Sequence, residues 1–368
     1  MMAEVASVKI GLVGLGGVCQ GVHYPGFSRI AGVEVAALCE PDEELLLRRR
    51  EEWGVVDAFT DYDQFLSQSG VNAVVIATPN YLHRDLILKA LDSGRHVLSE
   101  KPLAMSAAET AEIYQAASAS GLCHMTSFTY RFVPAMRYIQ HLVASGELGE
   151  IRHARFQRLQ DWGEHAIGWR QYQAQAGSGE LGDMGIHRID FAEWLLGPIA
   201  SVCAAAKQLV PRDTTATGAS CAPQDVEDWV AWIAQFEGGA TGVFEMGKLT
   251  KGHGPGGDHD LAEFNGTKGS AAYRLHTPHE IMFGGRGEPY LSRPVPDQFL
   301  KRPGSPRDPA EGDPVQTFRY DQAWEFVSAI RDKREAIPSF RDGMRAQVVA
   351  EAIQQADRER RWVDIEGH

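Results

Sequence analysis

The stretch Lys9-Ile10-Gly11-Leu12-Val13-Gly14-Leu15-Gly16-Gly17-Val18-Cys19 constrains the fold most, because an apolar strand pattern runs straight into glycines where a helix must begin. A buried strand that turns tightly into a helix is the opening of a βαβ unit. Glycines at 14 and 16 let main-chain N–H groups approach a ligand, and the helix behind them offers the positive end of its dipole. The turn therefore suits the pyrophosphate of a dinucleotide, with Gly14, Gly16, Gly17 and Val18 as its lining. At the third position of the G-x-G-x-x-G fingerprint stands Cys19, small enough to keep helix and strand close, though not a glycine. A second apolar run, Val33 to Cys39, ends in Glu40, at about the spacing where the fingerprint places an acid on the ribose hydroxyls. A carboxylate there repels a 2′-phosphate, so NAD is favoured over NADP. An ordinary solvated acid after a strand is the plainer alternative for Glu40.

At 368 residues the chain is long for one domain and comfortable for two. A formal charge of −13, with no basic block, argues against nucleic acid as a partner. Five cysteines without a C-x-x-C pair point to a reducing compartment where thiols stay free. No apolar run approaches bilayer-spanning length and no secretory leader is recognised, so the expectation is a soluble cytoplasmic protein without a membrane partner.

Strand and helix alternate through residues 1–129, as a doubly wound parallel sheet requires. The pattern predicts a helix from Asp42 to Trp53, a short strand at Ala58–Thr60 and a helix from Asp61. It goes on with a strand at Val71–Ala77, a helix from Tyr81 to Leu91 and a strand at His96–Ser99. Ser106 and Glu109 form a capping box for the next helix, Gly121 ends it, and a strand from Leu122 to Thr129 completes this half. From Tyr130 longer alternating segments appear, at Ile151–Gln157, Ser201–Leu209, Trp229–Phe236, Ala240–Met246 and Leu261–Phe264. They predict a second, α+β domain over 130–368 with a large, mainly antiparallel open sheet. The Pro- and Gly-rich stretch 284–314 reads as an irregular excursion, a lid, a subunit contact or a mobile segment. Helices at Gln322–Lys333 and Gly343–Arg358 close the chain and are free to pack back on the first domain.

With these pieces placed, the chain resembles the Gfo/Idh/MocA family of nicotinamide-dependent sugar and polyol oxidoreductases over nearly its whole length. The motifs agree in order: the glycine turn with His23 behind it, Ala77-Thr78-Pro79-Asn80-Tyr81-Leu82-His83, Glu100-Lys101-Pro102, and Tyr130-Arg131-Phe132-Val133-Pro134. Gly146-Glu147-Leu148-Gly149, Trp169-Arg170, the glycine loop leading into Asp183-Met184-Gly185-Ile186-His187, and Gly266-Thr267-Lys268-Gly269 follow. The resemblance implies an N-terminal Rossmann domain, NAD as cofactor, a small carbohydrate or polyol as substrate, and a homo-oligomer, dimer or tetramer.

It also implies roles. Thr78, Pro79, Asn80, His83, Glu100 and Lys101 would line the cofactor crevice, with a helix-surface position the alternative for His83. Trp169 and Arg170 would approach cofactor or substrate, or else anchor a domain junction. Asp183 and His187 are four apart, so on a helix both project from one face, while Phe191, Trp194 and Leu195 anchor its other positions. Imidazole titrates near neutrality, which makes His187 the general base. Asp183 would bind a neighbouring hydroxyl or orient the imidazole, Lys101 would stabilise a developing alkoxide, and Asp190 would stand behind them. Lys101, Arg170, Asp183 and His187 are the expected substrate contacts, and Lys101 and His187 are expected to meet at the reacting carbon.

His253, His259 and Asp260, with His276 and His279, tempt a metal reading, but the Gly252–Gly257 loop is too pliant to pin ligands, so no metal is expected. Departures from the family pattern are Cys19, Glu40 in place of the more usual Asp, and the long excursion. Two other functions stay open: redox-neutral glycoside cleavage with NAD retained, and a nucleotide-binding protein without chemistry.

Overall fold

The computed structural model describes residues 7–165, 168–215, 217–254 and 259–366. Its first sheet grows from β1, Val8–Val13, which is buried at every position but Lys9. Around it lie β2 (Val33–Cys39), β3 (Asp57–Phe59), β4 (Ala73–Ile76), β5 (His96–Ser99) and β6 (His124–Thr126). All pairs are parallel, in the order β3-β2-β1-β4-β5-β6. This is the Rossmann order, and it reverses between β1 and β4, so a crevice for a ligand opens at the carboxyl ends of those two strands.

The intervening helices start where short polar side chains can take up free amides. Asp42 caps Glu43–Trp53 by accepting from the N–H groups of Glu44 and Leu45, and Asp61 caps Tyr62–Gln68 through Gln64. Ser106 accepts from the Glu109 amide at 3.2 Å, while the Glu109 carboxylate reaches back one residue further than expected, to Met105 at 2.9 Å. The strand predicted up to Thr129 ends at Thr126, because Thr129–Phe132 winds into a 3-10 turn. The apolar run 71–77 likewise pairs only over Ala73–Ile76.

A second sheet contains β7 (Ile151–Leu159), β8 (Ile199–Lys207), β9 (Trp229–Phe236), β10 (Thr241–Gly247) and β11 (His259–Gly266). It is extended by β12 (Gly269–Arg274), β13 (Glu280–Gly285), β14 (Leu291–Pro294) and β15 (Val363–Asp364). The order is β14-β13-β12-β11-β7-β10-β9-β8-β15, antiparallel throughout except where β7 and β10 run parallel. Strict alternation buries one face. There the rings of Trp232 and Phe244 stack at 4.5 Å, Phe244 and Phe156 at 4.3 Å, and Phe264 meets Phe156 edge-on at 5.6 Å. Helix Ile186–Leu196 lies on this face, with Phe191 against Phe156 at 5.5 Å.

Strands β12 to β15 and helix Pro134–Ala144 were not anticipated by the sequence pattern. The 284–314 stretch is less irregular than expected. It holds β14 and a short helix, Asp297–Leu300, and is then pinned by the buried Asp321, which accepts from the Ser305 hydroxyl at 2.6 Å and from Arg307 at 2.9 Å. Two compact units result. The first runs to Phe132 and includes Lys301–Met344, and the second comprises Val133–Leu300 and the chain from Arg345 onward.

Candidate active site

In the first unit the glycine turn sits at the switch point of the sheet. Gly14 has φ +81°, and a Cβ there would lie 2.7 Å from the Ala77 carbonyl oxygen at the end of β4, so only glycine fits. At Gly16 and Gly17 a Cβ would meet nothing within 4 Å, and Val18 beside them is exposed. The turn thus presents its backbone to open space, as a pyrophosphate site must. Glu40 accepts from the Leu15 amide at 2.8 Å, and Arg49 donates to the Leu15 carbonyl at 3.3 Å and to Gln20 at 2.7 Å. Cys19 is buried, and that burial pushes its thiol well above the usual range, which suits packing and not reactivity. These residues fit NAD.

The loops after β4 and β5 are braced from below. His83 is fully buried, with Nδ1 2.8 Å from the Pro102 carbonyl and Nε2 3.0 Å from that of Thr78, and its burial lowers its proton affinity. A neutral ring has one N–H and donates to one of these two carbonyls, so His83 lies between the Thr78-Pro79-Asn80 loop and the Lys101-Pro102 segment, within the protein. Asn80 is buried, whereas Thr78, Pro79 and Lys101 are half-buried. Glu100 receives His23 Nε2 at 2.9 Å and the Ser127 hydroxyl at 2.7 Å. Burial opposes its ionisation, yet those hydrogen bonds and the charges of His23 and Lys101 draw it down to about 2. An ionised Glu100 therefore sits directly before Lys101.

In the second unit, the glycines of the 177–187 motif have separate steric reasons. A Cβ at Gly179 would lie 2.0 Å from the Glu227 carbonyl oxygen, and one at Gly185 would lie 3.3 Å from the Trp232 ring. Glu227 Oε1 accepts from the amides of Gly179 and Leu181, both at 2.9 Å, and so clamps the loop. Leu181–Gly185 then forms a π turn that leads directly into helix Ile186–Leu196. Asp183 stands in this widened turn, half-buried, and the nearly buried His187 stands in the first turn of the helix. The sequence pattern foresaw a plain α-helix. The π turn replaces its first part, a substitution common at functional sites. Phe191 and Leu195 are buried as expected, Trp194 only half, and Asp190 is buried.

Sequence reading missed a set of buried charges at one end of the same sheet face. Asp260 pairs with Arg158 and with Arg188, the latter at 2.6 Å. Asp228 pairs with Arg212 at 2.5 Å and with Lys248 at 3.7 Å, and also accepts the Leu209 amide at 2.7 Å. A signal for Lys248 was present, since the inward period Gly242, Phe244, Met246 leads to it. Glu180, beside the loop clamp, is 0% exposed, and neither carboxyl oxygen has a hydrogen-bond partner among the described residues. Burial, reinforced by the charge of Asp183, pushes it up to about 8 against the pull of Lys248 and Arg158.

Trp169 and Arg170 form a 3-10 turn with Gln171, the exposed Arg170 guanidinium lying 4.5 Å over the Trp169 ring. Gln171 and Arg212 both donate to the Gly163 carbonyl, at 3.2 and 2.6 Å, and so tie down the start of this loop. Asp260 is spent on its two arginines, and part of the Gly252–Gly257 loop lies outside the described residues. Among the described residues no group of His, Cys, Asp and Glu side chains is arranged to hold a metal ion, and no helix is long and apolar enough to cross a membrane.

A Rossmann sheet with an open glycine turn, joined in one chain to a glycine-mounted acid and imidazole, defines a nicotinamide-dependent oxidoreductase. Residues 8–128 match the model of the oxidoreductase family with an NAD-binding Rossmann fold, and residues 136–272 match the GFO/IDH/MocA C-terminal domain. The chain belongs to the Gfo/Idh/MocA family and is an NAD(P)-dependent dehydrogenase. It is 28% identical over 349 residues to levoglucosan dehydrogenase of Pseudarthrobacter phenanthrenivorans, covering 89% of this chain and 88% of that protein. The solved structure of levoglucosan dehydrogenase in complex with NADH and levoglucosan matches with a TM-score of 0.89 at 26% identity, over 98% of this chain and 100% of that one. An oxidoreductase domain protein from Kribbella flavida matches with a TM-score of 0.87 at 30% identity, over 98% and 100%.

Proposed function

We propose that the protein oxidises a secondary ring hydroxyl of a sugar, glycoside or inositol-type polyol, with His187 as general base. The observation that carries this reading is the mounting of Asp183 and His187: a clamped glycine loop and a π turn hold an acid and a nearly buried imidazole on consecutive turns. NAD, when bound at the glycine turn, supplies the hydride acceptor. His187 takes the hydroxyl proton, Asp183 binds the neighbouring hydroxyl or orients the ring, and Lys101 stabilises the developing alkoxide. Arg170 and Trp169 contribute to binding. Glu40 sets the preference for NAD over NADP. The resemblance to levoglucosan dehydrogenase supports a sugar as substrate.

The reading extends to setting and assembly. Five cysteines, all free, agree with a cytoplasmic protein. The exposed Ile233 and Val243 on the open face of the second sheet favour a homo-oligomer in which that face is covered. A panel of sugars and polyols, mixed with protein and either NAD or NADP, tests the chemistry. Accumulation of NADH with at least one of them is expected. Cleavage of a glycosidic bond without net NADH would replace this reading with the redox-neutral one.

A further inference from the structure

The carboxylate of Glu100 stands between the glycine turn and the segment that carries Lys101. Its backbone is fixed, the Glu100 amide donating at 2.8 Å to the Ile76 carbonyl at the end of β4. Its side chain turns inward, 12% exposed, and is bonded at both oxygens. Oε1 accepts from His23 at 2.9 Å and from the Ser127 hydroxyl at 2.7 Å, while Oε2 accepts from the Lys101 amide at 3.3 Å. A carboxylate has no proton to give, so the bond to His23 is an Nε2–H donated by the ring. His23 is buried and closes the π turn Cys19–His23, in which the Gln20 amide donates to the Gly16 carbonyl at 3.0 Å. One charged group thus links the helix start that faces the pyrophosphate to the backbone of Lys101.

We propose that His23 and Glu100 are positioning residues for Lys101: their hydrogen bond fastens the Lys101 segment to the helix behind the glycine turn, so that a pyrophosphate seated on the turn sets the place of the ammonium. The physical reason is that a charge-assisted bond in a poorly hydrated place is strong and directional. Breaking it leaves a nearly buried carboxylate short of a donor, and that carboxylate recruits another by moving. The hydrogen bonds and cations around Glu100 hold it ionised down to about 2, so the tie persists through the neutral range. A shift of about 1 Å in a group that steadies developing charge is enough to cost up to about 100-fold in rate. The inference rests on the dehydrogenase reading, in which Lys101 stabilises the alkoxide.

The test compares wild type with His23→Leu, which has no donor, and with His23→Gln, whose amide N–H restores one. Glu100→Gln, which removes the charge, takes the place of His23→Leu should that variant not fold. With NAD and the best sugar of the panel, His23→Leu should lose roughly 10-fold to 100-fold in kcat, with the NADH dissociation constant changed by less than about three-fold. His23→Gln should recover most of the loss. A second readout is amide hydrogen exchange over residues 97–105 with and without ADP, a probe that has the diphosphate and lacks the nicotinamide. ADP should slow exchange there in wild type and in His23→Gln, and leave it unchanged in His23→Leu. Wild-type kcat in His23→Leu, equal losses in both His23 variants, or no effect of ADP on wild type overturns the proposal and leaves the dehydrogenase reading intact. If no sugar reduces NAD, the dehydrogenase reading fails, and the exchange pattern alone then decides whether the tie to the Lys101 segment stands.

Discussion

The Glu40 carboxylate accepts a hydrogen bond from the Leu15 amide at 2.8 Å, which fastens the acid after β2 to the glycine turn after β1. Arg49 holds the carbonyl of the same residue, so Leu15 is gripped from both sides. An acid held this way is oriented before any nucleotide arrives, and on the proposed reading its charge would face a 2′-phosphate without cost in reorganisation.

Glu40→Ser should therefore weaken discrimination between the two nucleotides. The ratio of NADPH to NADH dissociation constants should fall by roughly ten-fold or more, since a few kcal/mol of repulsion is removed. Fluorescence titration with each nucleotide reads it. An unchanged ratio would mean that Glu40 is only a solvated acid.

The glycines of the turn should separate by substitution. Gly14→Ala meets both a positive φ and the Ala77 carbonyl oxygen, so thermal unfolding should show a loss of more than about 1 kcal/mol. Gly16→Ala meets no protein atom within 4 Å and should keep the fold while weakening NADH binding, because the added methyl fills the ligand's space. Equal effects of both on stability would contradict the assignment of that space to the pyrophosphate.

Much of the first sheet was legible because its strands are buried on both faces and carry their own signal. Val33–Cys39 and His96–Ser99 were read to the residue. Strands β12 to β14 were not, because Gly269–Arg274 and Glu280–Gly285 mix glycine and charge, and pairing with neighbours makes them strands. The Asp183–His187 spacing was visible, but the π turn was not, since it follows from the clamp by the distant Glu227. The burial of His83 was not legible for a related reason. Its burial comes from Pro102 and Thr78 closing over it, which no local pattern records.

The Asp228 cluster predicts a stability effect. Asp228→Asn leaves Arg212 and Lys248 buried without their carboxylate, and urea unfolding should show a loss of roughly 3–5 kcal/mol. A change within about 0.5 kcal/mol would show the cluster to be solvated in solution.

Glu180 also predicts how stability varies with pH. Its proton affinity in the folded state, about 8, lies above the ordinary 4.5, so the folded protein keeps a proton that the unfolded chain loses. Its contribution is fully present below 4.5 and is lost as pH rises toward 8. The unfolding free energy of Glu180→Gln should match that of wild type below that window, gain on it at up to about 1.4 kcal/mol per pH unit within it, and exceed it by a constant amount above, with melting temperatures following the same order. Glu100 has the opposite sign: it contributes above 4.5 and is lost as pH falls toward about 2. A Glu180→Gln variant that melts in parallel with wild type from acid to alkaline pH would remove the case for a buried, protonated Glu180.

The central claim is that the imidazole at 187 takes the substrate's proton. The most direct measurement is the rate of NADH formation by wild type and by His187→Asn with the best sugar of the panel, alongside NADH dissociation constants for both proteins. The account predicts a loss in kcat of roughly 100-fold to 10,000-fold with nucleotide affinity unchanged. A His187→Asn enzyme that turns over at the wild-type rate would contradict it.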